Sequence, residues 1–313
     1  MPAFPASTAS LCPHCLRRVP ARRVLSGHSV YLQKSCPEHG ELEKVLIWEN
    51  EPWHYQDWSR PRAKPLPAVD AAAPDCPAAC GLCPSHQQET CTAILAVTGR
   101  CSLACPVCFA ASKASTETDP GLDQIARMLR SVKESAGTCP LQLSGGEPAL
   151  RDDLPQIVAL ARKLGFDHIQ VNTNGSRLAQ DPDYGQHLKD EGVTDIFLQF
   201  DGLTEDVYTH IRGARLLSRK LRAVERCSEL KLGVILVPTL VRNVNENQIG
   251  AIIQFAKRWI PAVKGVHFQP MTYLGRYPAS PRNKDRILIP EILTAIEEQT
   301  GGELVVENVL PAG

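Results

Sequence analysis

From residue 92 onward the chain alternates short apolar runs with longer stretches in which apolar residues recur every three to four positions. The runs fall at 92–98, 141–143, 168–173, 195–200, 232–238 and 265–270, and their lengths suit strands. Between them, 122–135, 154–164, 184–191, 217–230 and 246–259 each carry one apolar face of helical period. Alternating strand and helix at this spacing predicts an α/β fold with a parallel sheet and crossover helices. The strand ends are polar and glycine-rich, as at Ser144-Gly145-Gly146, Asn174-Gly175 and Asp201-Gly202. Six such units predict a curved partial (β/α)6 barrel that works at the carboxyl ends of its strands. An open doubly wound sheet fits the same periodicity.

Upstream the pattern changes. Residues 1–58 hold a cysteine/histidine group and β-like runs at 29–32 and 44–48, and read as a separate metal-binding unit. Residues 59–75, with Pro61, Pro65, Pro67 and Pro74, read as an extended linker. A cysteine-rich segment at 76–91 leads into the barrel at 92–275, and 276–313 forms a tail with a helix near 290–299.

Charge removes some function classes. The 34 basic and 34 acidic residues balance, and no basic stripe recurs, so nucleic acid is not an expected partner. No run approaches the ~18 apolar residues of a transmembrane helix, and residues 1–10 lack the features of a secretory signal. A cytoplasmic protein is the expectation. In that reducing setting twelve cysteines point to metal ligation, and ten of them precede residue 110 in three groups.

The decisive group is Cys101-x3-Cys105-x2-Cys108, just after the first strand of the barrel. Three thiolates from one loop can hold three irons of a [4Fe–4S] cubane and leave the fourth open to a small molecule. The second strand ends in Ser144-Gly145-Gly146-Glu147-Pro148, where two glycines permit close backbone approach and Glu147 offers an acceptor. Thr173, Asn174, Gln199 and Asp201 close the next two strands and are further ligand candidates, although Asx-turns and helix caps use the same residues. Cys76, Cys80, Cys83 and Cys91 fit a second [4Fe–4S] cluster better than a zinc site. Cys12, Cys15, Cys36 and His39 form two knuckles in the layout of a zinc ribbon or rubredoxin-like site, for zinc or a mononuclear iron.

The loop spacing and the Gly-Gly-Glu-Pro turn one β/α unit later resemble the radical SAM superfamily. That resemblance implies an enzyme in which the open iron chelates S-adenosylmethionine. One-electron reduction, from a donor such as a ferredoxin or flavodoxin, then yields a 5′-deoxyadenosyl radical. It also implies that the turn holds the methionine amino group and that Thr173, Asn174, Gln199 and Asp201 lie near the carboxylate and ribose. One departure is Val107, where the family often has an aromatic; Phe109 stands close by. With the upstream Cys-Pro-Glu-His-Gly knuckle, the string from Asp75 to Cys108 resembles the group containing tetraether lipid synthase and the hydroxymethylpterin methylase. This implies C–H activation with C–C bond formation or methylation, on a lipid or a pterin. Members of that group run longer, with further cysteines after the barrel. A peptide-modifying or maturation enzyme, and a non-catalytic iron–sulfur electron carrier, are the competing readings.

Overall fold

A computed structural model describes residues 7–49, 90–112, 118–278 and 283–309. The chain divides into two compact units, one containing residues 7–49 and the other residues 90–278.

The first unit is an antiparallel sheet. Strands β1 (Ser7–Leu11), β2 (Arg18–Ser26) and β3 (Ser29–Cys36) follow one another, and β4 (Gly40–Glu41) and β5 (Val45–Glu49) both pair with β3. Gly27, at φ +62°, turns the chain between β2 and β3. Among the described residues the buried apolar groups of this sheet are few: Cys12, Val19 and Cys36 in one cluster, Val30 and Trp48 in another, and Ala21. So small a core does not fold a segment of this length without a staple.

In the second unit the strands are β6 (Ala93–Thr98), β7 (Leu141–Gly145), β8 (Ile169–Thr173), β9 (Asp195–Gln199) and β10 (Gly233–Val237). After β11 (Thr239–Leu240) comes β12 (Val263–Val266), then β13 (Gln269–Pro270). The helices are α1 (Leu122–Ala136), α2 (Leu154–Lys163), α3 (Ser176–Gln180), α4 (Tyr184–Asp190), α5 (Glu205–Arg212), α6 (Leu217–Glu229) and α7 (Ile249–Arg258); α8 (Ile289–Gln299) belongs for most of its length to the first unit.

Strands β6, β7, β8, β9, β10 and β12 lie side by side in chain order, every pair parallel. A doubly wound sheet reverses its order at a switch point. Here there is none, so right-handed crossovers all step the same way and place the helices on one face. The sheet curls with that face outside, which gives the partial barrel and excludes the open sheet.

Each strand alternates accordingly. Leu95, Val97, Leu141, Leu143, Ile169, Val171, Ile196 and Leu198 are buried against Ile125, Leu129, Ile157 and Val158 of the helices. Each such side chain contributes about 1.5–3 kcal/mol of burial. The opposite positions, Ala96, Gln142, Ser144, Asn172 and Gln199, face the interior.

The structure departs from the sequence expectation in two places. The last apolar run divides: β12 edges the sheet, whereas β13 pairs in parallel with β11. Helices α3 and α5 were not anticipated, because five and eight residues are too few to display a period.

Candidate active site and metal centres

In the first unit β1 leads into Cys12 and Cys15, and β3 ends at Cys36 with His39 in the turn to β4. Their ligand atoms all lie within 4.8 Å of one another. Cys15 Sγ is 3.8 Å from Cys36 Sγ, and His39 Nδ1 is 3.6 Å from Cys12 Sγ and 3.5 Å from Cys36 Sγ. A tetrahedral zinc with bonds of about 2.3 Å to sulfur and 2.0 Å to nitrogen has edges of about 3.8 Å between sulfurs and about 3.5 Å from sulfur to nitrogen. The four donors already span those edges, so they fit one ion. A hydrogen bond from His39 brings the Cys36 thiol down to about 6, toward the thiolate a metal binds.

In the second unit the loop after β6 carries Cys101, Cys105 and Cys108. The Leu103 N–H points at Cys101 Sγ, 3.4 Å away. Cys108 exchanges both backbone hydrogen bonds with Arg276, each 2.9 Å. The Arg276 side chain donates to the Cys105 carbonyl at 2.6 Å and the Ser112 carbonyl at 2.9 Å. Preceding it, Gly275 sits at φ +69°, where a Cβ would lie 2.2 Å from the Phe109 carbonyl oxygen. From the other side α5 holds Val107: Ile211 O accepts its N–H, and Arg212 donates to its carbonyl at 3.2 Å. Val107 packs with Val207 and Ile211, while Phe109 is exposed at the cavity rim. Burial raises the thiols of Cys101 and Cys105, and Arg212 pulls Cys105 back down.

The Gly-Gly-Glu turn is built against this loop. A Cβ on Gly145, at φ +134°, would lie 2.1 Å from Thr98 O, and one on Gly146 would lie 2.1 Å from Arg100 O. The close backbone approach the glycines permit is therefore to the stem of the cysteine loop, closed by Gly146 N–H to Thr98 O and Glu147 N–H to Arg100 O. Glu147 is buried, and its carboxylate accepts from Thr173 Oγ1 at 2.6 Å, Asn174 N at 2.7 Å and Ala149 N at 3.0 Å. Those oxygens tie the end of β7 to the end of β8. Asn174 Nδ2 is buried with no hydrogen-bond partner among the described residues, an orphan donor beside this turn. Gln199 accepts from Lys220 at 3.0 Å and lines the interior. Asp201 has a different surrounding from Gln199: it is fully buried, and Arg212 and the Thr239 N–H occupy its oxygens.

The strand ends and the cysteine loop enclose a cavity of about 690 Å³. Cys108, Phe109 and Arg212 line one side, and Gln142, Ser144, Asn172, Gln199 and Gln269 offer amides and a hydroxyl. Two of these polar groups are linked, Asn172 to Ser144 at 3.3 Å, and Gln142 bonds Gln170 at 3.2 Å. His267 meets the ring of Phe197 edge-on at 5.3 Å.

A family profile of the radical SAM superfamily matches residues 95–256, about half of the chain and all of the barrel up to α7. This chain belongs to the radical SAM superfamily. A second profile, the HMPTM N-terminal zinc ribbon domain, matches residues 4–49. The 7,8-dihydro-6-hydroxymethylpterin dimethyltransferase of Methanocaldococcus jannaschii is 40% identical over 97% of this chain and 60% of its own length. A probable GTP 3′,8-cyclase of Methanothermobacter marburgensis is 27% identical over 56% of each chain. The chain thus spans about 60% of the pterin dimethyltransferase it matches. Among solved structures, anSMEcpe with bound AdoMet superposes with a TM-score of 0.52 at 18% identity, over 68% of this chain and 64% of that one. That likeness shows the fold alone.

Radical SAM membership implies a [4Fe–4S] cluster and S-adenosylmethionine, and the residues present fit both. Three thiols stand on one loop whose backbone is pinned from two sides, and an unpartnered donor, Asn174 Nδ2, is buried at the neighbouring strand end. Cys91 is exposed, and Cys76, Cys80 and Cys83 lie outside the described residues. Among the described residues no helix is long and apolar enough to cross a membrane.

Sequence reasoning missed Arg212, Arg276 and Lys220. Lys220 is buried on α6 and donates to Asn174 O at 2.5 Å and to Gln199 at 3.0 Å, joining the ends of β8 and β9. Burial lowers its ammonium to about 8. A signal for α5 was present: Thr204 at the N-cap, Glu205 and Asp206 in the first turn, Arg212 in the last and Gly213 at φ +72° beyond it.

Proposed function

We propose that this chain acts as a radical SAM enzyme that methylates a pterin-type heterocycle. The observation that carries the reading is the cavity wall. The wall is mixed: apolar side chains such as Ile94, Val237, Phe268 and Met271 make up much of it, and an acyl chain laid across its amides would leave each of them without a partner. A pterin ring presents alternating donors and acceptors, which carboxamides satisfy in either sense. Gln142, Asn172 and Gln269 supply that edge, and Phe197 with His267 supplies aromatic surface. The named activity of the 40%-identical relative agrees.

When bound, the cluster at Cys101, Cys105 and Cys108 and S-adenosylmethionine supply a 5′-deoxyadenosyl radical. The chain's own residues position and shield. Ser144, Gly145 and Gly146 form the turn that meets the cofactor's amino group. Thr173, Asn174 and Gln199 face its remaining polar atoms, Asn174 through its free amide. Glu147 and Asp201 act as positioning residues, one holding Thr173 and Asn174, the other holding Arg212. Cys12, Cys15, Cys36 and His39 hold a structural zinc. Cys76, Cys80, Cys83 and Cys91 hold a second cluster, and a ferredoxin- or flavodoxin-type donor delivers the electron.

The test is anaerobic turnover with a deuterated hydroxymethylpterin and a perdeuterated lipid fraction, offered separately, following label into 5′-deoxyadenosine. Label from the pterin is the expected result. Label from the lipid, or cofactor cleavage with label from neither, overturns the substrate.

A further inference from the structure

We propose that the buried Asp201–Arg212 pair sets the reduction potential of the catalytic cluster, Arg212 raising it and Asp201 restraining that effect. The inference rests on the cluster being held by Cys101, Cys105 and Cys108, and is independent of the substrate.

The geometry sets a buried charge against the loop that carries the cluster ligands. Arg212 ends α5 and is 7% exposed; Asp201, two residues beyond β9, is 0% exposed. Their contact is bidentate, with Nε to Oδ2 and a terminal nitrogen to Oδ1 both at 2.7 Å. The other terminal nitrogen reaches the carbonyl of Val107, the residue before Cys108, at 3.2 Å. The guanidinium also donates to Thr239 Oγ1 at 2.9 Å and lines the same cavity as Cys108. Asp201 is anchored apart from its partner: Oδ1 accepts the Thr239 N–H at 3.1 Å, and its carbonyl accepts from Asn245 at 2.8 Å. A substitution at Arg212 therefore leaves the carboxylate in place.

A cubane held by three thiolates becomes more negative on reduction, so a nearby cation favours the reduced form and a nearby anion opposes it. Both groups are out of solvent, so neither field is screened by salt. Their influences have opposite signs, and of the two it is the cation that touches the cysteine loop, at the Val107 carbonyl. A purely structural salt bridge behaves otherwise, because breaking it from either end loosens the same loop in the same way.

The experiment is a redox titration of the full chain, reconstituted anaerobically and followed by electron paramagnetic resonance. It is read on the signal that added S-adenosylmethionine perturbs, which separates the catalytic cluster from any other. Asp201→Asn leaves the cation uncompensated and moves the midpoint to more positive potential. Arg212→Gln removes it and moves the midpoint to more negative potential. Arg212→Lys keeps the charge but loses the bidentate grip on Asp201 and the hydrogen bond to Val107, so its midpoint stays near wild type while a chelator strips its iron faster. The proposal is overturned if Asp201→Asn and Arg212→Gln shift the midpoint in the same direction, or if neither shifts it with iron retained. Should Arg212→Gln fail to hold iron, an Asp201→Asn midpoint at or below wild type overturns it alone. No substrate enters the measurement, so failure of the pterin reading leaves the result intact.

Discussion

The zinc ribbon and the barrel both present cysteines to metal, yet they stand in opposite relation to their folds. In the ribbon the buried apolar groups are two small clusters, and two of the three side chains in the first are the ligands Cys12 and Cys36. There the metal holds the fold together. In the barrel a large continuous core lies between strands and helices, and the cysteine loop is fastened by Arg212 and Arg276 to elements far away in sequence. There the fold holds the metal ligands. The physical difference is where the ordering free energy originates: metal–ligand bonds in the first case, apolar burial and buried polar networks in the second.

The largest effect that tests this contrast comes from removing each metal in turn. Chelation, or Cys36→Ala, withdraws about 10–16 kcal/mol of metal-linked folding free energy from the ribbon. Amide hydrogen exchange across β1 to β5 should become unprotected, while β6 to β12 keep their protection. Cys105→Ala should do the reverse, taking 5′-deoxyadenosine formation to background with barrel protection unchanged. A ribbon that stays protected without metal would break the comparison.

A smaller effect tests the buried polar networks. Glu147→Gln replaces one of the oxygens facing Thr173, Asn174 and Ala149 with a donor. One buried donor loses its acceptor, and urea unfolding of the barrel should show a loss of about 2–3 kcal/mol. Ribbon metal affinity should not change.

The smallest effect concerns Lys220, whose ammonium burial lowers from its ordinary 10.5 to about 8. Between those values the unfolded chain binds the proton more tightly than the folded one, so barrel stability rises as pH is raised from about 8 to 10.5. Below that window Lys220 contributes a constant penalty. The rise should be absent from Lys220→Met in parallel urea titrations, and an unchanged pH profile in that variant would show that Lys220 is not its source.

Much of this was legible in the sequence, and the reason is local. A β/α unit announces itself by the period of its apolar residues, and a metal loop by spacing along a few consecutive positions. That is why Cys101, Cys105 and Cys108 and the ribbon ligands could be named from residue order. The interior role of Gln142 and Asn172 was not read, although both follow from strand alternation once β7 and β8 are known. Glu147 and Asp201 could be named but not placed, because an acidic residue after a strand reads the same whether it meets a ligand or a buried arginine.

What the sequence alone determined, then, is the superfamily and the partial barrel, together with candidate ligand sets whose spacing is local. Tertiary structure alone decided which charges meet at the cysteine loop. Arg212 lies 105 positions beyond the Val107 carbonyl it holds, and Arg276 lies 171 beyond that of Cys105. No periodicity connects residues so far apart. Only the curl of the sheet, driven by apolar burial on its outer face, brings the last units of the barrel back to the first loop.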